Sequence, residues 1–314
     1  MRDFAPGTGT QFGSIESLAK RLGLRTEKLI HIAENVDSYW IKGKTLVKPD
    51  GSKRETHNAK PELKGIHQSI KEKILLPTYF PEFLHGALPK RSVFSNAANH
   101  THKRVLISED IANFFPNTSE VKINTLWKRF YNCPPEVANT LTKLTTHKGM
   151  LPQGWKTSSY LANLVFWDSE LELYLKLQRR GFKYSRFVDD VSVSAHRNYT
   201  PRELTQVISE INGLFSSKGY RLKRTKHQVK TSSSRQQVNN QVVNSLKVSM
   251  PVEYRKIIRA KVHRLKTDHL CGASSCLSYA PKWKKLCAQV GKLKRGHIEQ
   301  YTALRKTLDK IKPQ

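Results

Sequence analysis

The chain has 314 residues, 38% of them apolar, enough for one good core or for two or three subdomains around a shared cleft. Lysine and arginine number 55 against 25 acids, a net charge of +30 that points to a polyanionic partner, nucleic acid before a membrane surface. No run of about 18 apolar residues is present, and Met1-Arg2-Asp3-Phe4 lacks the apolar stretch of a signal peptide, so a cytoplasmic protein is expected.

In chain order, residues 14–36 carry helical periodicity with Ser14 as a cap. Tyr39-Trp40-Ile41 and Thr45-Leu46-Val47 flank Lys42-Gly43-Lys44 and predict a hairpin, followed by a basic turn from Lys48 to Arg54. A helix is expected over 61–76, starting at Pro61. Val105-Leu106-Ile107-Ser108-Glu109-Asp110 reads as a buried strand that ends on an acid. Helices follow over 121–146 and 157–180, then a hairpin over 184–195, then a helix over 201–218 opened by Thr200-Pro201. Ser232-Ser233-Ser234 predicts a loop.

Residues 211–252 contain no acid, and residues 251–314 hold 16 basic and 4 acidic side chains, so the charge gathers toward the C-terminal end as it would on a surface gripping a nucleic acid backbone. A solvated helical face is the plainer alternative. Cys133, Cys271, Cys276 and Cys287 are too few for a disulfide framework and are expected to be free thiols. Cys271 and Cys276, with His263, His269, Cys287 and His297 nearby, match no usual zinc finger or ribbon spacing.

The chemistry centres on Phe187-Val188-Asp189-Asp190, two adjacent carboxylates between apolar runs at the tip of a hairpin. Joining a nucleotide to a strand calls for two divalent ions roughly 4 Å apart, and several carboxylates must converge to hold them. Asp110, closing the strand at 105–110, is the third candidate. Magnesium suits such a site because it takes hard oxygen ligands and keeps water and phosphate oxygens in its shell.

Asp110-Ile111-Ala112-Asn113-Phe114-Phe115-Pro116, Leu151-Pro152-Gln153-Gly154 and Phe187-Val188-Asp189-Asp190 resemble, in order and spacing, the successive palm motifs of reverse transcriptases. Asn96-Ala97-Ala98-Asn99-His100 is similar to a block found before the first catalytic aspartate in bacterial retron enzymes, and Glu253 to His263 to their basic thumb helix. The resemblance covers about residues 45–265.

It implies an α+β right-hand polymerase fold with fingers, palm and a mainly helical basic thumb. Residues 1–40 would be an N-terminal helical extension, 41–104 the fingers with part of the palm, 105–245 the catalytic palm and 246–314 the RNA-binding thumb. Asp110, Asp189, Asp190 and the Ile111 backbone would hold two Mg2+ ions, with Mn2+ as a substitute, and Lys226 would protonate or steady the leaving pyrophosphate. Lys53, Arg54, Gln153 and Gly154 would meet the incoming nucleotide, and Phe115 would exclude a 2′-hydroxyl. Asn96, His100, Arg255, Lys256, Arg259, Lys261 and Arg264 would contact RNA.

The implied activity is RNA-directed DNA synthesis on part of a cognate structured non-coding RNA, primed from an RNA 2′-hydroxyl and giving a short single-stranded msDNA. The implied partners are that RNA, its cDNA, dNTPs and an effector protein of an anti-phage system in the bacterial cytoplasm. Two other readings stand beside it: a template-independent or intron-type relative, and an RNA-binding scaffold that restrains an effector. The chain departs from the retron pattern at Phe187, where tyrosine is usual, at Trp155, Lys156 and Ser159, and at Val238-Asn239-Asn240 in place of Val-Thr-Gly.

Overall fold

The computed structural model describes residues 3–47, 51 and 53–313, with the side chains of Lys53 and Arg54 outside that description. Two helices come first, α1 (Ile15–Leu22) and α2 (Thr26–Glu34). Ser14 and Ser17 form a capping box, and Gly23 ends α1 at φ 78, which splits the single helical stretch expected there.

β1 (Trp40–Val47) pairs antiparallel with β2 (Lys53–Ala59). The turn expected at Lys42-Gly43-Lys44 is a bulge inside β1, where the register shifts between Lys42 and Thr45. A Cβ on Gly43 would stand 2.6 Å from the Thr56 carbonyl oxygen, so the two backbones approach too closely for a side chain. Of the expected basic turn, residues 48–50 and 52 lie outside the described residues, and Lys53 already belongs to β2.

α3 (Pro61–Ile70) runs into a π-helical turn over Lys71–Leu75, and α4 (Val93–Ala98) precedes β3 (Val105–Asp110). After the one-turn α5 (Phe114–Asn117) come α6 (Glu120–Thr125), a π-helical turn over Leu126–Phe130 and α7 (Pro135–Thr145). The helix expected over 121–146 is thus broken, because Asn132 turns at φ 53 and Pro134-Pro135 can open a helix but cannot sit inside one. The helix expected over 157–180 is also two, α8 (Ser158–Leu164) and α9 (Glu170–Arg179).

β4 (Phe182–Phe187) and β5 (Asp190–Ala195) form the expected hairpin, and α10 (Pro201–Ser217) starts at a capping box between Thr200 and Glu203. β6 (Gln228–Thr231), β7 (Gln237–Val238) and β8 (Gln241–Val242) precede the long α11 (Val252–Leu270), α12 (Tyr279–Gly291) and α13 (Ile298–Lys310). One sheet has four strands in the order β4-β5-β3-β6. β3 and β5 are buried along nearly their whole length, and on β5 even Ser192 and Ser194, which alternate with the valines, are out of water.

The chain divides into two compact units. The first comprises residues 1–92, 107–193 and 199–228, and the second 93–106, 194–198 and 229–314. The first has an aromatic wall in which Phe166 meets Phe215 at 5.0 Å, Tyr220 at 5.2 Å and Phe114 at 5.9 Å between ring centroids. In the second, α11 buries Ile258, Val262 and Leu265, one face at helical spacing, against Leu286 and Val290 of α12 and Leu308 of α13. Tyr279 donates from its hydroxyl to the Ile311 carbonyl at 2.8 Å, and Trp283 Nε1 to the Leu308 carbonyl at 2.9 Å, so the apolar packing is pinned at its polar ends. All four cysteines are free, and among the described residues no cluster of three His, Cys, Asp or Glu stands ready to hold zinc or another metal.

Candidate active site

Asp110 is the last residue of β3, and backbone bonds fix what lies around it. Its carbonyl accepts from the Lys223 N–H at 2.7 Å, and the next residue, Ile111, donates its N–H to the Asp189 carbonyl at 2.9 Å. The end of β3 is therefore tied both to the β4–β5 turn and to the segment after α10.

That turn carries Val188 and Asp189, and Asp190 opens β5. Val188 has φ 60, the sign a tight hairpin needs at its first central position but one that costs a β-branched residue on the order of 1–3 kcal/mol. The surroundings hold it there. Arg186 Nη1 donates to the Val188 carbonyl at 2.9 Å, while Nε and Nη2 reach Glu170 at 2.6 and 2.7 Å. Tyr184 donates its hydroxyl to the same carboxylate at 2.7 Å, and both ion-pair partners are fully buried. Burial alone would lower the Arg186 pKa, yet the Glu170 charge overrides it and the guanidinium is held more firmly protonated than usual.

Arg186 Nη2 also donates to the Asn163 carbonyl at 3.0 Å, and Asn163 Nδ2 donates to the Gly86 carbonyl at 2.7 Å. Gly86 lies against the turn itself: a Cβ there would be 2.6 Å from the Val188 nitrogen. A glycine, a buried ion pair and a strained valine together aim Asp189.

Lys226 supplies the positive charge. Its ammonium donates to Asp110 Oδ2. Burial pulls its pKa down, but the bond to Asp110 and the charges of Asp110, Asp190 and Asp189 together push it above the ordinary lysine value. One ammonium thus feels all three carboxylates. Beside it, burial raises the pKa of Glu109, against the opposing bond of 2.6 Å to His227 Nδ1.

A cavity of about 470 Å3 opens here, and Asp110, Asp189, Lys226 and Gln153 all line it. Phe114 and Pro116 line it too, while Phe115 is half-buried with its ring edge-on to Phe114 at 5.9 Å. Gly154 has φ 113, and a Cβ on it would stand 2.5 Å from the His57 carbonyl oxygen. The close approach that its glycine permits is therefore to β2. Lys53 and Arg54 belong to β2 by backbone, and their side chains lie outside the described residues.

In the second unit, Asn96 and His100 are fully buried. Asn96 Nδ2 donates to Asn239 Oδ1 at 2.6 Å, and His100 Nδ1 bonds Ser194 Oγ at 2.7 Å. Direct contact with RNA is therefore not their position; they hold the neighbouring chain. Asn239 and Asn240, at φ 47 and 62, make the tight β7–β8 turn that the departure from Val-Thr-Gly brings, asparagine being among the few residues to adopt that conformation readily. Lys256, Arg259, Lys261 and Arg264 are exposed along α11, and Arg255 is half-buried.

Sequence reasoning passed over Glu170, Arg186, Gly86 and His57. A signal existed for Arg186, because strand alternation puts it on the face that carries Phe182 and Tyr184, where a buried charge must find a partner. None existed for Gly86, whose neighbour is defined only by the fold.

The family described as "Reverse transcriptase (RNA-dependent DNA polymerase)" matches residues 46–280. The chain is similar to the Retron Se72 reverse transcriptase of Salmonella heidelberg (strain 579083-10), with 33% identity over 97% of this chain and 81% of that protein. It is similar to the Retron Ec48 reverse transcriptase of Escherichia coli, with 29% identity over 96% of this chain and 76% of that protein. Among solved structures, telomerase from Candida albicans in complex with a TWJ fragment of telomeric RNA aligns at a TM-score of 0.46 and 10% identity, over 88% of this chain and 58% of that one.

Proposed function

Because the chain belongs to the reverse transcriptase family, and within it to the retron enzymes, we propose that it copies part of a cognate structured RNA into short single-stranded DNA. The chain is an RNA-directed DNA polymerase of right-hand fold. Priming from a 2′-hydroxyl of the same RNA, an msDNA product and service in an anti-phage ribonucleoprotein with an effector protein complete the proposal. Within the hand we assign residues 1–40 to an extension, 41–104 to fingers, 105–245 to palm and 246–314 to an RNA-binding thumb.

Reverse transcriptases use divalent metal ions, and oxygen donors suit a hard cation: the Asp110, Asp189 and Asp190 carboxylates all act on the Lys226 ammonium, although among the described residues they are not gathered into a metal-ready cluster. Asp110, Asp189, Asp190 and the Ile111 carbonyl would hold two Mg2+ ions, for which Mn2+ would substitute. Bound there, the ions would acidify the attacking hydroxyl and neutralise triphosphate charge. Lys226, kept protonated by its neighbours, would donate to or steady the departing pyrophosphate. Gln153, with Lys53 and Arg54, would seat the dNTP, and Phe115 would crowd a ribose 2′-hydroxyl.

What supports the reading is the meeting of Asp110, Asp189, Lys226 and Gln153 on one cavity in a chain of this family. Among the described residues no helix is long and apolar enough to cross a membrane, and we place the enzyme in the bacterial cytoplasm. The test is to purify the protein with its nucleic acids, treat them separately with RNase and DNase, and sequence what remains. A single short branched DNA is expected; random or absent DNA would overturn the retron role.

A further inference from the structure

His57 lies on β2 beside the Gln153–Gly154 loop, and none of the palm motifs includes it. It is half-buried and lines the cavity that Asp110, Asp189 and Lys226 also line. Its backbone is fixed by the N–H donated to the Gln153 carbonyl at 2.7 Å and by the close pass of Gly154. Its ring is fixed as well: Trp40 Nε1 donates to His57 Nδ1 at 2.9 Å, and the Trp40 ring stacks on His147 at 5.1 Å with 9° between planes.

An indole N–H can only donate, so His57 Nδ1 must accept and carries no proton. In the neutral imidazole the proton then sits on Nε2. Burial favours that neutral form, with the charge of His147 adding to it, Glu55 opposing and Lys148 adding a little more. With Nδ1 taken by Trp40, Nε2 is the nitrogen left to meet a molecule in the cavity. A neutral single donor orients a sugar or base; a triphosphate calls for cations.

We propose that His57 contacts the incoming deoxynucleotide, donating from Nε2 to an acceptor on its base or sugar, with Trp40 as the positioning residue that selects this tautomer. This rests on the cavity being the nucleotide site. Steady-state primer extension with titrated dNTP tests it. His57→Phe keeps a ring and removes the donor, and should raise the dNTP KM about tenfold, the worth of one hydrogen bond, while kcat falls far less. His57→Gln, which keeps an N–H donor, should recover most of that loss. Trp40→Phe keeps a ring to stack on His147 but frees the tautomer, and should raise KM by a smaller factor.

An unchanged KM in His57→Phe overturns the proposal, as does a His57→Gln enzyme no better than His57→Phe at equal thermal stability, which would make the role one of packing. Asp189→Asn separates the two levels. If Asp189→Asn remains active the cavity itself has been misread, whereas a dead Asp189→Asn beside an unaffected His57→Phe refutes only the His57 contact.

Discussion

Glu170 and Arg186 lie wholly out of water in the first unit, whereas α11 in the second leaves Lys256, Arg259, Lys261 and Arg264 in solvent around a buried stripe of Ile258, Val262 and Leu265. A buried pair is costly to desolvate and costlier to break, so it specifies one geometry for the turn it holds. Exposed cations cost little and attract a polyanion in proportion to their number. Charge in the first unit works by position, and in the second by quantity.

Substitutions should separate these two regimes. The largest effect belongs to the aspartates: Asp189→Ala or Asp190→Ala should lower cDNA synthesis by about a thousandfold or more while RNA retention in a filter assay stays near wild type. Normal cDNA from either variant would sink the metal-site assignment.

Next comes the buried pair. Arg186→Met strands Glu170 in the core and should cost on the order of 3–5 kcal/mol in urea unfolding. Adding Glu170→Leu should return much of that stability but not activity, because the Val188 carbonyl still lacks its donor. Recovery of full synthesis in the double variant would show that packing alone aims the turn.

Acid should reach the first unit through His67, whose Nε2 donates to the Leu144 carbonyl at 2.8 Å and whose pKa burial lowers from 6.5 to about 4. The unfolded chain takes up that proton first, so this contribution is complete above pH 6.5 and is lost as pH falls toward 4. Melting temperature followed across that range should drop, and His67→Gln should flatten the slope. The smallest effects are expected on α11. Arg259→Ala or Lys261→Ala should each weaken binding to all RNAs alike and reduce the salt slope by about one. A sequence-selective loss would mean that α11 reads bases.

Where local physics decides the structure, the sequence was readable. β3 ends on Asp110 because an apolar run meets an acid, and α10 begins at Thr200 because a capping box announces it. The Gly43 bulge escaped notice because its cause is the Thr56 backbone on another strand. Asn96 and His100 show the same limit. The resemblance put them on RNA, and the fold buries them on Asn239 and Ser194, partners remote in the chain. The aspartates were proposed from a motif, while the pair that holds the turn beside Asp189 joins a strand to a helix that no short pattern spans.

Gly86 has a bearing on descent as well as on geometry. Every replacement there adds a Cβ 2.6 Å from the Val188 nitrogen, so the position is closed to neutral drift for as long as the turn keeps its place. A lineage could alter it only by moving Val188 in the same stroke. The constraint on Gly86 is thus set by the turn it packs against and not by any chemistry of its own.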